Sequence, residues 1–318
     1  MNQPATQVIP TDQSRFADVE FAQRYPATWI EWPGDGLAGP ARLAVVDAAP
    51  AASTPAGTFV LLHGEPSWSV LYEQWIPRLT AAGYRCVAID LPGFGRSDKP
   101  VDDEWYTYER HCAAVAHVID TLDLTDIRLV VQDWAGPIGL RYAVDHPARF
   151  ARLFVFNTWL HHPDFEYSTG VRWWRDAAID PAKLGGDMPT GAIVLSSMRR
   201  EHPGTDHVQR LFDAPFTTYE SKAGARAFPT MIPFGQPERG GAVEQERCHQ
   251  ALLAWDHCPV HIAFGDGDIV FTFDQAERWA SQIPNATLDR IPDAGHFVQY
   301  DAPDDCLAVI ARYEQRAI

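Results

Sequence analysis

The chain has 318 residues, of which 46% are hydrophobic and 21% charged, a composition typical of a soluble globular protein with one large or two small domains. Its formal net charge of −16 disfavours nucleic acid and anionic membranes as partners, because both bind basic surfaces. The first residues lack the basic and apolar regions of a signal peptide, and no apolar run reaches the ~20 residues that a membrane-spanning helix needs. We therefore expect a cytoplasmic protein with no nucleic acid and no membrane partner.

The cysteines are odd in number and scattered, which fits neither a disulfide framework nor a Cys-x-x-Cys metal or redox pair. They are Cys86, Cys112, Cys248, Cys258 and Cys306. The paired histidines His161-His162 also lack the spacing of a metal site. We expect free thiols and no bound metal.

From Thr58 onward, short apolar runs alternate with amphipathic stretches, a pattern typical of a parallel sheet covered by helices. Strands are predicted at 58–64, at 85–95 (running into a Gly/Pro loop), at 127–131 and at 152–158. Apolar residues at helical spacing predict helices around 71–79, around 112–122 and from Trp134 to about Asp145.

This alternation stops after the fourth strand. Residues 159–228 hold polar and aromatic helical fragments without a convincing strand. The strand pattern returns at 259–268 and 286–295, separated by a helix around 275–283, and a helix from about Ala302 ends the chain. The simplest organisation is an α/β core, residues 1–158 and 229–318, with a helical cap inserted at 159–228.

Reactive side chains of open α/β sheets collect at the carboxyl ends of strands. Asp133, Asp268 and His296 stand at such ends, and the order nucleophile, acid, histidine is that of the α/β-hydrolase fold. The sequence Gln132-Asp133-Trp134-Ala135-Gly136 occupies the place of the usual Gly-x-Ser-x-Gly turn. Asp133 alone could instead cap the following helix, as aspartate often does. The matching order of all three residues favours the catalytic interpretation.

An aspartate nucleophile is already ionised at neutral pH, so it attacks a saturated carbon without help from a base and forms an ester. His296 would then activate the water that hydrolyses the ester, and Asp268 would orient the imidazole, with Asp266 as a rival for that role. The backbone N–H groups of Trp134 and Glu65 are expected to form the oxyanion hole, since an ionised Glu65 side chain cannot donate.

Four segments together resemble haloalkane dehalogenases: His-Gly-Glu-Pro (63–66), Asp-x-Pro-Gly-Phe-Gly-x-Ser-Asp-Lys-Pro (90–100), Gln-Asp-Trp-Ala-Gly (132–136) and Asp-Ala-Gly-His-Phe (293–297). The resemblance runs from about residue 15 to the C-terminus and is strongest outside the cap. It implies hydrolysis of a carbon–halogen bond through Asp133. Glu65 points to the subfamily whose second halide donor is a cap tryptophan. Ala135 departs from the glycine that family members usually carry.

Charge develops on the departing halide, and an indole N–H can stabilise it because it is a donor with no acceptor to repel an anion. Trp134 is the first candidate. The resemblance assigns the second donor to Trp174, whereas Trp159 and Trp173 are expected to pack the cap. Adjacent residues on a helix point ~100° apart, so at most one of Trp173 and Trp174 faces the halide.

Three alternatives stay open. An epoxide hydrolase shares the same nucleophile and needs cap tyrosines, for which Tyr167 and Tyr219 are candidates. A non-catalytic protein of this fold would bind a small ligand in the same pocket, and a serine esterase is disfavoured because no serine stands at the turn. For the dehalogenase, we expect a haloalkane and water as substrates, halide as a product, no cofactor, and a monomer or small homo-oligomer.

Overall fold

The computed structural model describes residues 5–202 and 204–318 of the chain. The strands in these residues are β1 (Val8–Ile9), β2 (Thr28–Trp32), β3 (Ala41–Ala48), β4 (Thr58–Leu62), β5 (Arg85–Ile89), β6 (Lys99–Pro100), β7 (Ile127–Val131), β8 (Phe150–Phe156), β9 (Val260–Gly265) and β10 (Thr287–Ile291). The α-helices are α1 (Glu20–Arg24), α2 (Ile76–Ala81), α3 (Tyr108–Thr121), α4 (Ala135–Asp145), α5 (Thr169–Ile179), α6 (Thr190–Ser196), α7 (Thr205–Asp213), α8 (Ala223–Thr230), α9 (Ala242–Leu253), α10 (Phe273–Gln282), α11 (Val298–Asp301) and α12 (Pro303–Glu314).

Eight strands form one sheet in the order β10-β9-β8-β7-β4-β5-β3-β2. Neighbours from β10 to β5 run parallel, whereas β3 is antiparallel to both β5 and β2. Successive side chains of β4 enter two different apolar clusters: Val60 and Leu62 belong to one, Phe59 and Leu61 to the other. Both faces of the sheet are therefore covered, which explains why its central strands are continuously apolar. The fold class is confirmed as a mostly parallel sheet flanked by helices.

Most elements lie where the sequence pattern predicts them. The run 127–131 is β7, and the helix expected from Trp134 is α4, which begins one residue later. The predicted helix around 71–79 is divided into a short 3-10 turn and α2. Pro77 explains the division, because proline is tolerated in the first turn of a helix and disrupts its interior. The antiparallel pair β2 and β3 was not predicted.

The segment between β8 and β9 carries helices α5 to α9 and, in its described residues, no strand. The expected cap boundary at residue 228 falls inside α8, which continues to Thr230, and the division into core and cap stays a prediction. Helix α9 packs on α4 of the core. None of the described helices combines the length and apolarity needed to cross a membrane. The cysteines are free thiols, as expected.

Candidate active site

Asp133 lies on a strained turn between β7 and α4. Its backbone φ is 52°, in the left-handed region that Asp tolerates better than most residues. Its N–H donates to the carbonyl of Asn157 at 2.9 Å, and its own carbonyl accepts from the Thr158 hydroxyl. Gly136 is required behind it, because an added Cβ would overlap the Thr158 side chain. These contacts with the end of β8 hold the carboxylate at the edge of the sheet.

The loop after β4 supplies a donor to that carboxylate. The backbone N–H of Glu65 lies 2.7 Å from Oδ1 of Asp133, which is where the sequence predicted an oxyanion donor. Gly64 makes this approach possible, because an added Cβ would overlap both Cβ and Oδ1 of Asp133. Position 64 therefore requires glycine, because the loop packs directly against the Asp133 side chain.

His296 lies between two carboxylates. Its Nδ1 is 2.9 Å from Oδ2 of Asp268 and its Nε2 is 3.6 Å from Oδ2 of Asp133. All three residues are at most 7% exposed. The rival Asp266 is bound instead to the backbone N–H of Asp293 and faces Arg290 at the surface. The structure thus brings Asp133, Asp268 and His296 together and leaves Asp266 outside.

Two polar residues support this triad and were not singled out from the sequence. Asn157 donates from Nδ2 to Oδ2 of Asp268 at 2.9 Å, and its Oδ1 accepts from the backbone of Gly265. Gln132 donates to the backbone carbonyl of His296 at 3.0 Å, and its Nε2 is 3.1 Å from Nε2 of that imidazole. Both stand at carboxyl ends of parallel strands, and this position was a usable signal.

Burial and charge shift the ionisation of two groups. Burial opposes a charge on His296, but the carboxylates of Asp268 and Asp133 outweigh it and raise the pKa of the imidazole to about 10. The Gln132 amide facing Nε2 favours the neutral ring and so acts against this rise. Burial and the nearby Asp133 charge raise the pKa of Glu65 well above its usual range. Both effects favour the uncharged form of the Glu65 side chain.

A main cavity of about 330 Å³ opens in front of the triad. Asp133 and His296 line it, together with Trp174 of α5 and Ile193 of α6. This volume suits a small organic molecule.

A small cavity of about 20 Å³ lies beside Asp133 and shares Asp133, Trp174 and Val270 with the lining of the main one. Trp134 and Trp174 both line it, and Trp174 lines the main cavity as well. A space of this size holds about one water molecule or one monatomic ion. Neither indole N–H donates to another described residue, unlike those of Trp68 and Trp75, which donate to backbone carbonyls.

The other two tryptophans of the predicted cap differ from Trp174. Trp173 is 65% exposed, so it does not pack the cap as expected. It does not line the small cavity, in keeping with the prediction that at most one of the adjacent pair faces the halide. Trp159 is buried, stacks on Phe271 and meets Trp134 edge to face. It also lines the small cavity, and its Nε1 has no hydrogen bond with the described residues, so it is the rival second donor.

The two tyrosines of the predicted cap are placed differently from each other. Tyr167 lines the small cavity, with its hydroxyl 3.0 Å from Nδ1 of His161. Tyr219 is 59% exposed and stacks under Arg226. Within the described ranges, no three His, Cys, Asp or Glu side chains are arranged to hold a metal ion.

Comparison with known proteins agrees with this geometry. Residues 57–303 match the family model of the α/β hydrolase fold. The chain is 34% identical to a haloalkane dehalogenase of Psychrobacter cryohalolentis, over 96% of this chain and 97% of that protein. It is 39% identical to haloalkane dehalogenase 1 of Mycobacterium tuberculosis, over 80% and 83% of the two chains.

A solved structure is similarly close. The tetrameric haloalkane dehalogenase DpaA from Paraglaciecola agarilytica superposes with a TM-score of 0.85 at 30% identity, covering 96% of this chain and 98% of that one. With this similarity over nearly the whole length, and with three ionisable groups assembled at one sheet edge, the chain is an enzyme that belongs to the haloalkane dehalogenase family.

Proposed function

We propose that this protein hydrolyses haloalkanes to an alcohol, a halide ion and a proton through a covalent ester on Asp133. The observation that carries the proposal is the position of the Asp133 carboxylate, with His296 on one side and a halide-sized cavity lined by Trp134 and Trp174 on the other.

In the first step, Oδ2 of Asp133 attacks the carbon that bears the halogen. The new C–O bond forms as the C–X bond breaks, and the bonding pair leaves with the halide. Oδ2 is the better nucleophile of the two oxygens, because Oδ1 already accepts the Glu65 N–H. The halide enters the small cavity, where the indole N–H groups of Trp134 and Trp174 replace the water that would otherwise solvate it.

In the second step, His296 takes a proton from a water molecule whose oxygen attacks Cγ of the ester. Negative charge then develops on Oδ1, the atom that the backbone N–H of Glu65 already contacts at 2.7 Å. The backbone N–H of Trp134 is the second donor to this oxygen. The intermediate collapses to the free carboxylate, the alcohol leaves with the remaining hydroxyl proton, and His296 returns its proton to solvent. Asp268, held by Asn157, stabilises the imidazolium.

Loss of the Asp133 charge favours this second step. In the free enzyme two carboxylates hold the proton on His296, so the imidazole is a poor base. The ester of Asp133 is neutral, and its formation lowers the pKa of His296 toward the range in which the ring can accept a proton. The first step thus prepares the base for the second.

The tyrosine positions favour halide over epoxide as substrate. Protonation of an epoxide oxygen needs hydroxyl groups that face the nucleophile. The Tyr167 hydroxyl is bonded to His161, and Tyr219 is exposed and turned toward Arg226. A ligand-binding protein without activity would not need three ionisable groups placed side by side at one cavity.

The test is a comparison of purified protein on 1-bromobutane and 1,2-epoxybutane, with bromide and alcohol quantified. We expect bromide and butanol in equal amounts and negligible diol. Asp133→Ala should abolish turnover, whereas Asp164→Ala, which removes an exposed carboxylate, should retain it. Diol without bromide release, or more than a few per cent of activity in a folded Asp133→Ala protein, would refute the proposal.

A further inference from the structure

The rim of the main cavity is formed partly by exposed side chains from helix α5 and from two loops. Trp173 and Ile269 are 65% and 67% exposed, and Arg199 is exposed beside them just after α6. Arg199 thus lies where a substrate held at Asp133 would reach solvent.

The Arg199 guanidinium has no ion pair and no side-chain hydrogen bond with any residue that the structure describes. Its neighbour Arg200 contrasts with it: that side chain donates to the carbonyl of Pro292 at 2.8 Å and to the carboxylate of Asp305 at 2.5 Å. Two adjacent arginines of equal formal charge are therefore used differently. The Arg200 side chain anchors the loop after α6, whereas the N–H groups of the Arg199 guanidinium have no acceptor among the described residues.

The backbone of Arg199 is nevertheless fixed to the triad loop. The buried carboxylate of Asp301 accepts the N–H of Arg199 at 2.9 Å, of Arg200 at 3.0 Å and of Gly295 at 2.6 Å. The N–H of His296 donates to Ser197 at 2.9 Å. The base of the Arg199 side chain is thus held in a set position relative to His296.

The side chain of Arg199 then runs across Gly267. A Cβ added to that glycine would lie 2.8 Å from Cγ and 3.0 Å from Nε of Arg199, so only a residue without a side chain leaves this path open. Gly267 directly precedes Asp268, and both line the main cavity with Arg199. The Nε atom of Arg199 therefore lies against the wall of the main cavity.

Arg199 has no carboxylate partner within the described lining of the main cavity. Asp133 and Asp268 flank His296, and burial raises the pKa of Glu65 and so favours its uncharged form. Arg199 is then the one cation of the described cavity lining that faces no carboxylate, in a chain whose formal net charge is −16. An arginine with free donors at a cavity rim suits a carboxylate, which its planar fork binds through two parallel hydrogen bonds.

We propose that Arg199 binds the carboxylate of haloalkanoate substrates whose halogen, at the opposite end of the chain, lies at Asp133. The proposal rests on the proposed dehalogenase function and narrows its substrate class to halogenated acids. Water displaces the halide through the same two steps, and the product is the corresponding hydroxyalkanoate.

The test compares ω-bromoalkanoates, from bromobutanoate to bromooctanoate, with their neutral primary amides, following bromide release. We expect the wild-type protein to have a higher kcat/KM for the carboxylate than for the matched amide at one or two chain lengths. Arg199→Gln should lower that ratio by roughly tenfold, Arg199→Lys should keep most of it, and added salt should reduce it. The control Arg210→Gln removes an exposed arginine of α7, outside the cavity, and should leave the ratio unchanged.

The outcomes separate this proposal from the one it rests on. If the amides release bromide but Arg199→Gln leaves the ratio unchanged, the assignment of Arg199 is wrong and the dehalogenase function stands. The assignment is equally wrong if Arg199→Gln slows both substrates to the same extent, since that would place the arginine in product release. Bromide release from no compound at all would refute both proposals.

Discussion

Nε2 of His296 lies 3.6 Å from Oδ2 of Asp133, too far for a hydrogen bond and close enough for strong attraction between charges in a buried site. The proposed base and the proposed nucleophile therefore share an electrostatic environment before any substrate binds. Alkylation of Asp133 removes one member of this pair, so the ionisation of His296 should report on the state of Asp133.

This coupling predicts a pH effect that can be measured without turnover. In the free protein, the Asp268 and Asp133 carboxylates overcome burial and raise the pKa of His296 to about 10. Asp133→Asn imitates the neutral ester and should lower that pKa, so that the ring loses its proton at a lower pH than in wild type. Nitrogen NMR of the imidazole through a pH titration measures both values. Equal pKa values in the two proteins would show that Asp133 does not control the proton on His296.

The second prediction concerns the indole donors at the small cavity. Trp134→Phe and Trp174→Phe keep most of the apolar surface and delete one N–H each. Each should slow carbon–halogen cleavage by roughly 10²–10³, the usual size for loss of one preorganised donor. Rapid-quench measurement of bromide release in a single turnover gives the rate of this step.

Two further tryptophans make the test specific. Trp173→Phe alters an exposed ring and should behave as wild type. Trp159→Phe decides between the rival donors, because its buried N–H also lines the small cavity. A large loss in Trp159→Phe together with a wild-type rate in Trp174→Phe would transfer the halide role to Trp159.

The third prediction tests the close approach of the loop after β4 to Asp133. Gly64→Ala places a Cβ about where the Asp133 side chain lies, so the carboxylate must shift. Because displacement by about 1 Å costs on the order of 10² in rate, turnover should fall by at least that factor. Gly39→Ala is the matched control, since its Cβ would meet nothing within 4 Å. If Gly64→Ala is fully active, the position of the nucleophile does not depend on this contact.

Much of the site could be predicted because it follows from local sequence at strand ends. Asp133 stands just before Trp134 and a helix with small residues at its start, and Asp268 and His296 stand at the ends of strands that the sequence pattern predicts. Parallel strands bring their carboxyl ends to one edge, so position along the chain was enough to assemble the triad. The local sequence pattern does not distinguish Asp268 from its rival Asp266. Only the three-dimensional structure shows which of the two carboxylates contacts His296.

Other features depend on contacts between distant parts of the chain. Gln132 contacts His296, which is 164 residues away in the sequence, and the spacing of apolar residues does not predict a contact at that separation. The place of Arg199 depends on Asp301, which binds the loop after α6 from a different helix. The strands β2 and β3 were missed because they pair antiparallel at one end of the sheet, outside the regular alternation of strand and helix.

The last prediction separates the two chemical steps. An ionised Asp133 needs no base to displace halide, whereas ester hydrolysis needs His296 in its neutral form. His296→Gln should therefore release about one bromide per protein molecule and then stop. Mass spectrometry should locate the alkyl group on the peptide that contains Asp133, and far-UV circular dichroism should match the wild-type protein. If a folded His296→Gln protein gives neither a bromide burst nor an alkylated peptide, the histidine acts before the ester forms, and the order of steps proposed above is wrong.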